Sequence, residues 1–217
     1  MSGMRRDGAA ATRLATEGVR AALLDGDLAP GQRLVEADLA STFGVNRASV
    51  RAALLDLAAE GLIERIPNRG ARVRIISVDE AVTITECRMV LEGLCAAKAA
   101  EKVTDEQIAV LDDLGEQLQR SVASGDPVRY SSLNRDLHRL VRELAAQPTA
   151  SELLDRLNGQ MVRHQFRLSL RAGRPQVSLP EHLAIIEAIT GRDPRRAEEA
   201  VRAHLASVIE ALRSTDA

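Results

Sequence analysis

Apolar positions recur every three to four residues along most of this chain, the spacing that turns one face of a helix toward a core. The first such run covers residues 12–24, with Leu14, Val19, Ala22 and Leu23 apolar, and Asp25-Gly26-Asp27 ends it. Residues 1–9 ahead of it are expected to form a disordered arm. Pro30-Gly31 marks a turn, and a short helix follows over 35–42. Phe43-Gly44-Val45-Asn46 then separates it from a second helix over 47–60. Gly44 can take the positive φ that closes one helix, and Asn46 can cap the next. Val50, Leu54, Leu57 and Ala58 line up on that second helix as a buried stripe. Beyond Gly61 the helical period stops. Leu62–Ile66 and Ala71–Ile75 flank the turn Pro67-Asn68-Arg69-Gly70, which reads as a hairpin with Arg69 at its tip.

From Ser77 onward every segment is helical in pattern, and each has its own start signal. Ser77-Val78-Asp79-Glu80 opens a helix to about residue 102, and Thr104-Asp105-Glu106-Gln107 a second to about 123. Asp126-Pro127 opens a third to about 146, and Thr149 or Ser151 a fourth to about 171. Ser178-Leu179-Pro180-Glu181 reads as a capping box for a helix ending before Gly191, and Asp193-Pro194 opens the last, to about 213. The fold class is therefore mainly α. A winged helix-turn-helix over 10–76 precedes an antiparallel bundle of six helices over 77–214.

Composition narrows the picture. Of the 217 residues 45% are apolar and 28% charged, the balance of a globular protein with a packed core. Aromatics are only 1%, so Leu, Val, Ile and Ala must fill that core. No run approaches the roughly 20 apolar residues of a membrane span, and MSGMRRDGAA lacks a signal peptide's apolar centre. A cytoplasmic location with no membrane partner is expected. Cys87 and Cys95 lie on one predicted helix, about 12 Å apart along its axis, too far to bridge. Both are expected to be small buried residues.

The net charge of −2 is unevenly spread. Residues 1–76 hold 11 Arg against nine acidic residues, whereas 77–217 hold 18 Lys and Arg against 22 acidic. Five of the N-terminal cations, Arg47, Arg51, Arg69, Arg72 and Arg74, fall on the second helix and the hairpin. Arg47 and Arg51 share a helix face next to Asn46 and Ser49, which are expected to be exposed. Two guanidiniums at the leading end of such a helix suit phosphates and bidentate contact to guanine in a major groove. The expected partner is double-stranded DNA.

All four histidines, His138, His164, His182 and His204, lie in the helical part. Asn134 and His138 are one turn apart on one face, and His182 is expected in the first turn of the next-to-last helix. If those helices pack with the last one, three imidazoles and an amide oxygen can converge. Such a set suits Zn²⁺, Ni²⁺, Cu²⁺ or Fe²⁺ and leaves positions open. From spacing alone, surface or singly hydrogen-bonded histidines on amphipathic helices are the preferred reading.

Several of these motifs resemble known ones. Leu28-Ala29-Pro30-Gly31-Gln32-Arg33-Leu34, Gly44-Val45-Asn46-Arg47, Val50-Arg51-Ala52-Ala53-Leu54, Glu60-Gly61-Leu62 and Asn68-Arg69-Gly70 resemble the DNA-binding domain of the GntR family of bacterial transcription regulators. Asn46 and Ala52 depart from that family's usual Ser or Thr and Glu. The resemblance implies DNA contacts from Arg33, Asn46, Arg47, Ser49, Arg51, Asn68, Arg69 and Gly70. Asn134-Arg135-Asp136-Leu137-His138, the stretch Glu181–Ile189, Gly191-Arg192-Asp193 and His204-Leu205 resemble the helical effector domain of the FadR branch, called FCD. Leu137 stands where that branch usually has Phe.

The FCD resemblance implies that Asn134, His138, His182 and His204 ligate a divalent metal, Zn or Ni, and that His164 does not. It also implies that Arg88 and Glu92 belong to an effector pocket, although an i, i+4 ion pair on a solvated face reads the same way. A small carboxylate effector, a homodimer and a pseudo-palindromic operator are the implied partners. The alternative is a metal-dependent hydrolase, in which the three-His site activates water.

Overall fold

In the computed structural model, Gly44 takes the left-handed conformation that its missing Cβ permits (φ 63°), and its N–H reaches back to the carbonyls of Ala40 and Ser41. That stop separates α2 (Glu36–Phe43) from α3 (Arg47–Ala59). Asn46 starts α3 by accepting a 2.8 Å hydrogen bond from the Ser49 N–H. The structure describes residues 3–25, 27–66, 70–169 and 171–214. These divide into two units, residues 1–76 with 158–163, and residues 77–157 with 164–217.

The first unit begins with α1 (Gly3–Asp25), which starts well before residue 12 and replaces the disordered arm expected there. Ala9-Ala10-Ala11 are the strongest helix formers available, and the Thr12 hydroxyl donates to the Gly8 carbonyl, so the helix carries through. Its Val19 packs with Val50, Leu54 and Leu57 of α3. Gly18 matters to this packing. A Cβ there would stand 2.3 Å from the Phe43 ring, so only glycine lets that ring lie against α1. The strands β1 (Arg33–Leu34), β2 (Ile63–Ile66) and β3 (Gly70–Val73) form an antiparallel sheet in the order β1-β3-β2, with Arg72 opposite both Arg33 and Glu64. Along β3, Ala71 and Val73 are buried while Gly70 and Arg72 are exposed, the alternation of a half-buried strand.

The second unit is built from α4 (Val78–Lys102), α5 (Asp105–Ala123), α6 (Pro127–Ala145), α7 (Pro148–Ser169, apart from residues 158–163), α8 (Arg174–Thr190) and α9 (Pro194–Arg213). Most of the expected caps are present. Ser77 accepts from the Glu80 N–H, and Thr104 and Gln107 make a reciprocal capping box. Asp126 and Asp193 cap α6 and α9 ahead of a first-turn proline. The core joins Leu111, Leu118, Leu137, Ile185, Ile189 and Leu205 around Tyr130, the largest fully buried side chain among the described residues.

Two expectations are corrected here. The helix read as opening at Ser178 starts at Arg174, so Pro180 lies inside it and His182 in its third turn. Arg174-Pro175 after Gly173 (φ 82°) is the true start, and the Ser178 hydroxyl bonds the Arg174 carbonyl instead of capping. Cys87 is exposed on α4, and only Cys95 is buried. The eight-residue step between them turns the helix far enough to separate their faces.

Candidate functional site

On the first unit, Arg47 and Arg51 stand exposed on one face of α3. Arg51 is already engaged: its guanidinium holds the Glu36 carboxylate with Nε at 3.1 Å and a terminal nitrogen at 2.7 Å. That hydrogen bond keeps Glu36 below the usual carboxylate range. Ser49, expected on the exposed face, is buried, because its amide turns inward to the Asn46 cap. Asn46 itself remains exposed, with its side-chain oxygen occupied by that bond. Arg33 and Gly70 are exposed on neighbouring strands, and Arg72 pairs with Glu64. Asn68 and Arg69 lie outside the described residues.

On the second unit, His138 from α6, His182 from α8 and His204 from α9 come together. Their ring centroids are 4.5–5.6 Å apart, and one ring nitrogen of each lies within 4.8 Å of the others. His182 and His204 are almost fully buried, and His138 is partly so. Burial and the neighbouring rings hold His182 well below its ordinary pKa; burial and then His138 do so for His204. Both are neutral near pH 7. His164 is not in the cluster.

Every Nδ1 in the cluster has a partner on another helix. His138 Nδ1 lies 2.9 Å from Glu92 Oε2, and His204 Nδ1 lies 2.8 Å from Glu181 Oε2. Each of these carboxylates is held in turn by an arginine. Arg88 donates to Glu92 at 2.7–2.8 Å, and Arg174 reaches Glu181 at 3.4 Å. Arg88 and Glu92 are thus a buried pair, not a solvated one. Burial pushes Glu92 up, but Arg88 and His138 more than offset it, and the carboxyl is held well below its usual range.

His182 Nδ1 lies 2.9 Å from the Tyr130 hydroxyl. The Ser178 hydroxyl, which donates to the Arg174 carbonyl at 2.8 Å, also lies close enough to act on the phenol. Burial pushes the phenol up to about 12, which keeps it protonated.

With Nδ1 protonated toward a carboxylate, His138 and His204 each present a bare Nε2 lone pair. Among the described residues, His182 Nε2 and Asn134 Oδ1 are buried with no hydrogen-bond partner. Asn134 lies one turn before His138 on the same helix. Lone pairs brought together in a buried place repel one another, and a cation between them relieves this. Neutral imidazoles and an amide oxygen are a donor set that fits a divalent transition metal. Local spacing did not mark Tyr130 or Glu181 as partners of these histidines, since each meets its histidine across helices.

Below this layer lies a cavity of about 10 Å³, room for one water, lined in part by Glu92, Cys95, His138 and Arg142.

Comparisons with known proteins agree with this architecture. Residues 12–73 match the model of the bacterial regulatory proteins of the gntR family, and residues 83–207 match the FCD domain. The HTH-type transcriptional repressor RspR of Escherichia coli is 28% identical over 186 residues, covering 86% of this chain and 82% of that protein. The HTH-type transcriptional regulator BphR of Paraburkholderia xenovorans is 30% identical over 210 residues, covering 90% of this chain and 82% of that one. Among solved structures, E. coli McbR/YncC superposes with a TM-score of 0.79 at 23% identity, covering 95% of this chain and 99% of the other. The hydrolase alternative finds no support, because family and relatives are transcription regulators and not enzymes. No helix among the described residues is long and apolar enough to cross a membrane. With a gntR-type helix-turn-helix followed by an FCD domain, the chain belongs to the gntR family of bacterial transcription regulators.

Proposed function

We propose that this regulator is a cytoplasmic homodimer that reads a pseudo-palindromic operator, and that a small carboxylate effector adjusts its DNA affinity at a metal-containing pocket. The observation that carries this reading is the convergence of His138, His182 and His204, with the Asn134 oxygen and His182 Nε2 buried and unpartnered. These four residues would hold Zn²⁺ or Ni²⁺. When bound, the ion offers an open position to one oxygen of the effector.

The chain's own residues do the rest. Glu92, Glu181 and Tyr130 fix the three rings, while Arg88 and Arg174 fix the two carboxylates. Arg88 thus supports the effector pocket through Glu92. On the first unit, Arg47 and Arg51 are the groups offered to base edges, with Arg33, Asn46, Asn68, Arg69 and Gly70 toward the backbone. The effector changes DNA binding only by favouring one arrangement of the dimer, a coupling of about 1–3 kcal/mol.

Metal analysis with thermal melts tests the reading, on wild type and His182→Ala, with and without chelator. Bound metal, a melt lowered by chelator and a His182→Ala variant that lacks both effects are expected, with DNA binding through Arg47 and Arg51 retained. A purified protein without metal, whose melt no added Zn²⁺ or Ni²⁺ moves, would overturn it.

A further inference from the structure

The cavity beneath the histidine layer repeats that layer one helical turn away. Cys95 follows Glu92 by three residues on α4, Val141 and Arg142 follow His138 by three and four on α6, Ile185 follows His182 by three on α8, and Val201 precedes His204 by three on α9. The same four helices thus supply both layers, about 5.4 Å apart. The lower layer is apolar except for Arg142 and the groups it shares with the upper one. Arg142 is mostly buried, and a terminal nitrogen donates to Asp155 at 2.6 Å. Its Nε is buried with no hydrogen-bond partner among the described residues. A guanidinium N–H out of contact with water and with any acceptor is costly unless something completes it. The cavity that Arg142 lines has room for little more than a water.

We infer that Arg142 is a second anchor for the effector, and that the effector is a short two-ended acid. This rests on the function proposed above. One carboxylate sits at the histidine layer, and the other accepts the Arg142 Nε–H one turn below. A four-carbon diacid has the reach, and its chain would pass Leu137, Val141, Ile185 and Val201. Because the cavity has room for little more than a water, seating the distal carboxylate requires α4, α6, α8 and α9 to move apart. That gives such an acid the differential affinity a switch requires.

The test uses the full-length protein loaded with Zn²⁺ and calorimetric titration with succinate and with butyrate, acids of equal length that differ in the distal carboxylate. Metal content is measured on every sample. Wild type should bind succinate at least about tenfold more tightly than butyrate, as a charge-assisted bond to a buried donor implies. Arg142→Gln should bring that ratio to about one while leaving metal content and butyrate affinity within about twofold. Asp155→Asn removes the ion pair but not Nε, and should keep the succinate preference. If Arg142→Gln fails to fold, Arg142→Lys answers the same question, since it can keep the Asp155 pair yet lacks Nε. A wild-type ratio near one overturns the inference. A preference that survives both Arg142 substitutions overturns it too. Zinc bound with either result leaves the proposed function standing, whereas a wild type that takes up neither Zn²⁺ nor Ni²⁺ overturns both.

Discussion

Glu36 and Arg51, on successive helices of the DNA-binding unit, hold each other in a two-point ion pair at 2.7 and 3.1 Å. One of the two cations proposed above for a major groove is thus paired with a carboxylate of its own chain. Removing that carboxylate should release it. Glu36→Gln is expected to tighten binding to non-specific duplex roughly two- to fivefold, the scale of an exposed pair. Fluorescence anisotropy at two salt concentrations checks this, and unchanged or weaker binding would count against the masking role.

Arg47 has no such restraint and should carry more of the sequence reading. Arg47→Ala is expected to cost about 1–3 kcal/mol of operator affinity if it makes a bidentate base contact. Loss that is equal on operator and random duplex would reassign it to phosphate.

Tyr130→Phe should leave His182 Nδ1 buried without its hydrogen-bond partner. A stability loss of about 1–3 kcal/mol is expected by thermal melt. Metal affinity should fall roughly 10- to 100-fold, as for loss of a group that orients a ligand. A variant with wild-type melt and metal affinity would show that the ring needs no such partner.

In the first unit, Gly18→Ala should displace the Phe43 ring, since three ring atoms lie within 2.9 Å of where the Cβ would stand. Overpacking of this kind costs about 1–3 kcal/mol. Urea melts measure it, and the double variant Gly18→Ala/Phe43→Leu should recover part of the loss.

Local chemistry made much of this molecule readable from its sequence. The stop at Gly44, the caps at Asn46, Ser77, Thr104, Asp126 and Asp193, and the shared face of Asn134 and His138 all depend on residues within four positions of one another. What failed did so where two local signals competed or where a partner lay far along the chain. Ser178-Leu179-Pro180-Glu181 has the pattern of a helix start, yet Arg174-Pro175 begins α8 a turn earlier. Glu181, which that pattern assigns to a cap, instead holds His204, 23 residues away. Tyr130 meets His182 at a separation of 52 residues, which no local spacing encodes. Ser49 was misjudged because its own amide bond to Asn46 turns it inward.

The partners of the three histidines have a mechanical consequence. His138 ties α6 to α4, His182 ties α8 to α6, and His204 ties α9 to α8. Four helices are therefore stitched in series, each seam ending on a ring whose other nitrogen faces the common centre. A helix that slips by one residue rotates its side chains by about 100° and opens a seam. The histidine centre thus works as a gauge of helix registry, sound only when all four helices are in step.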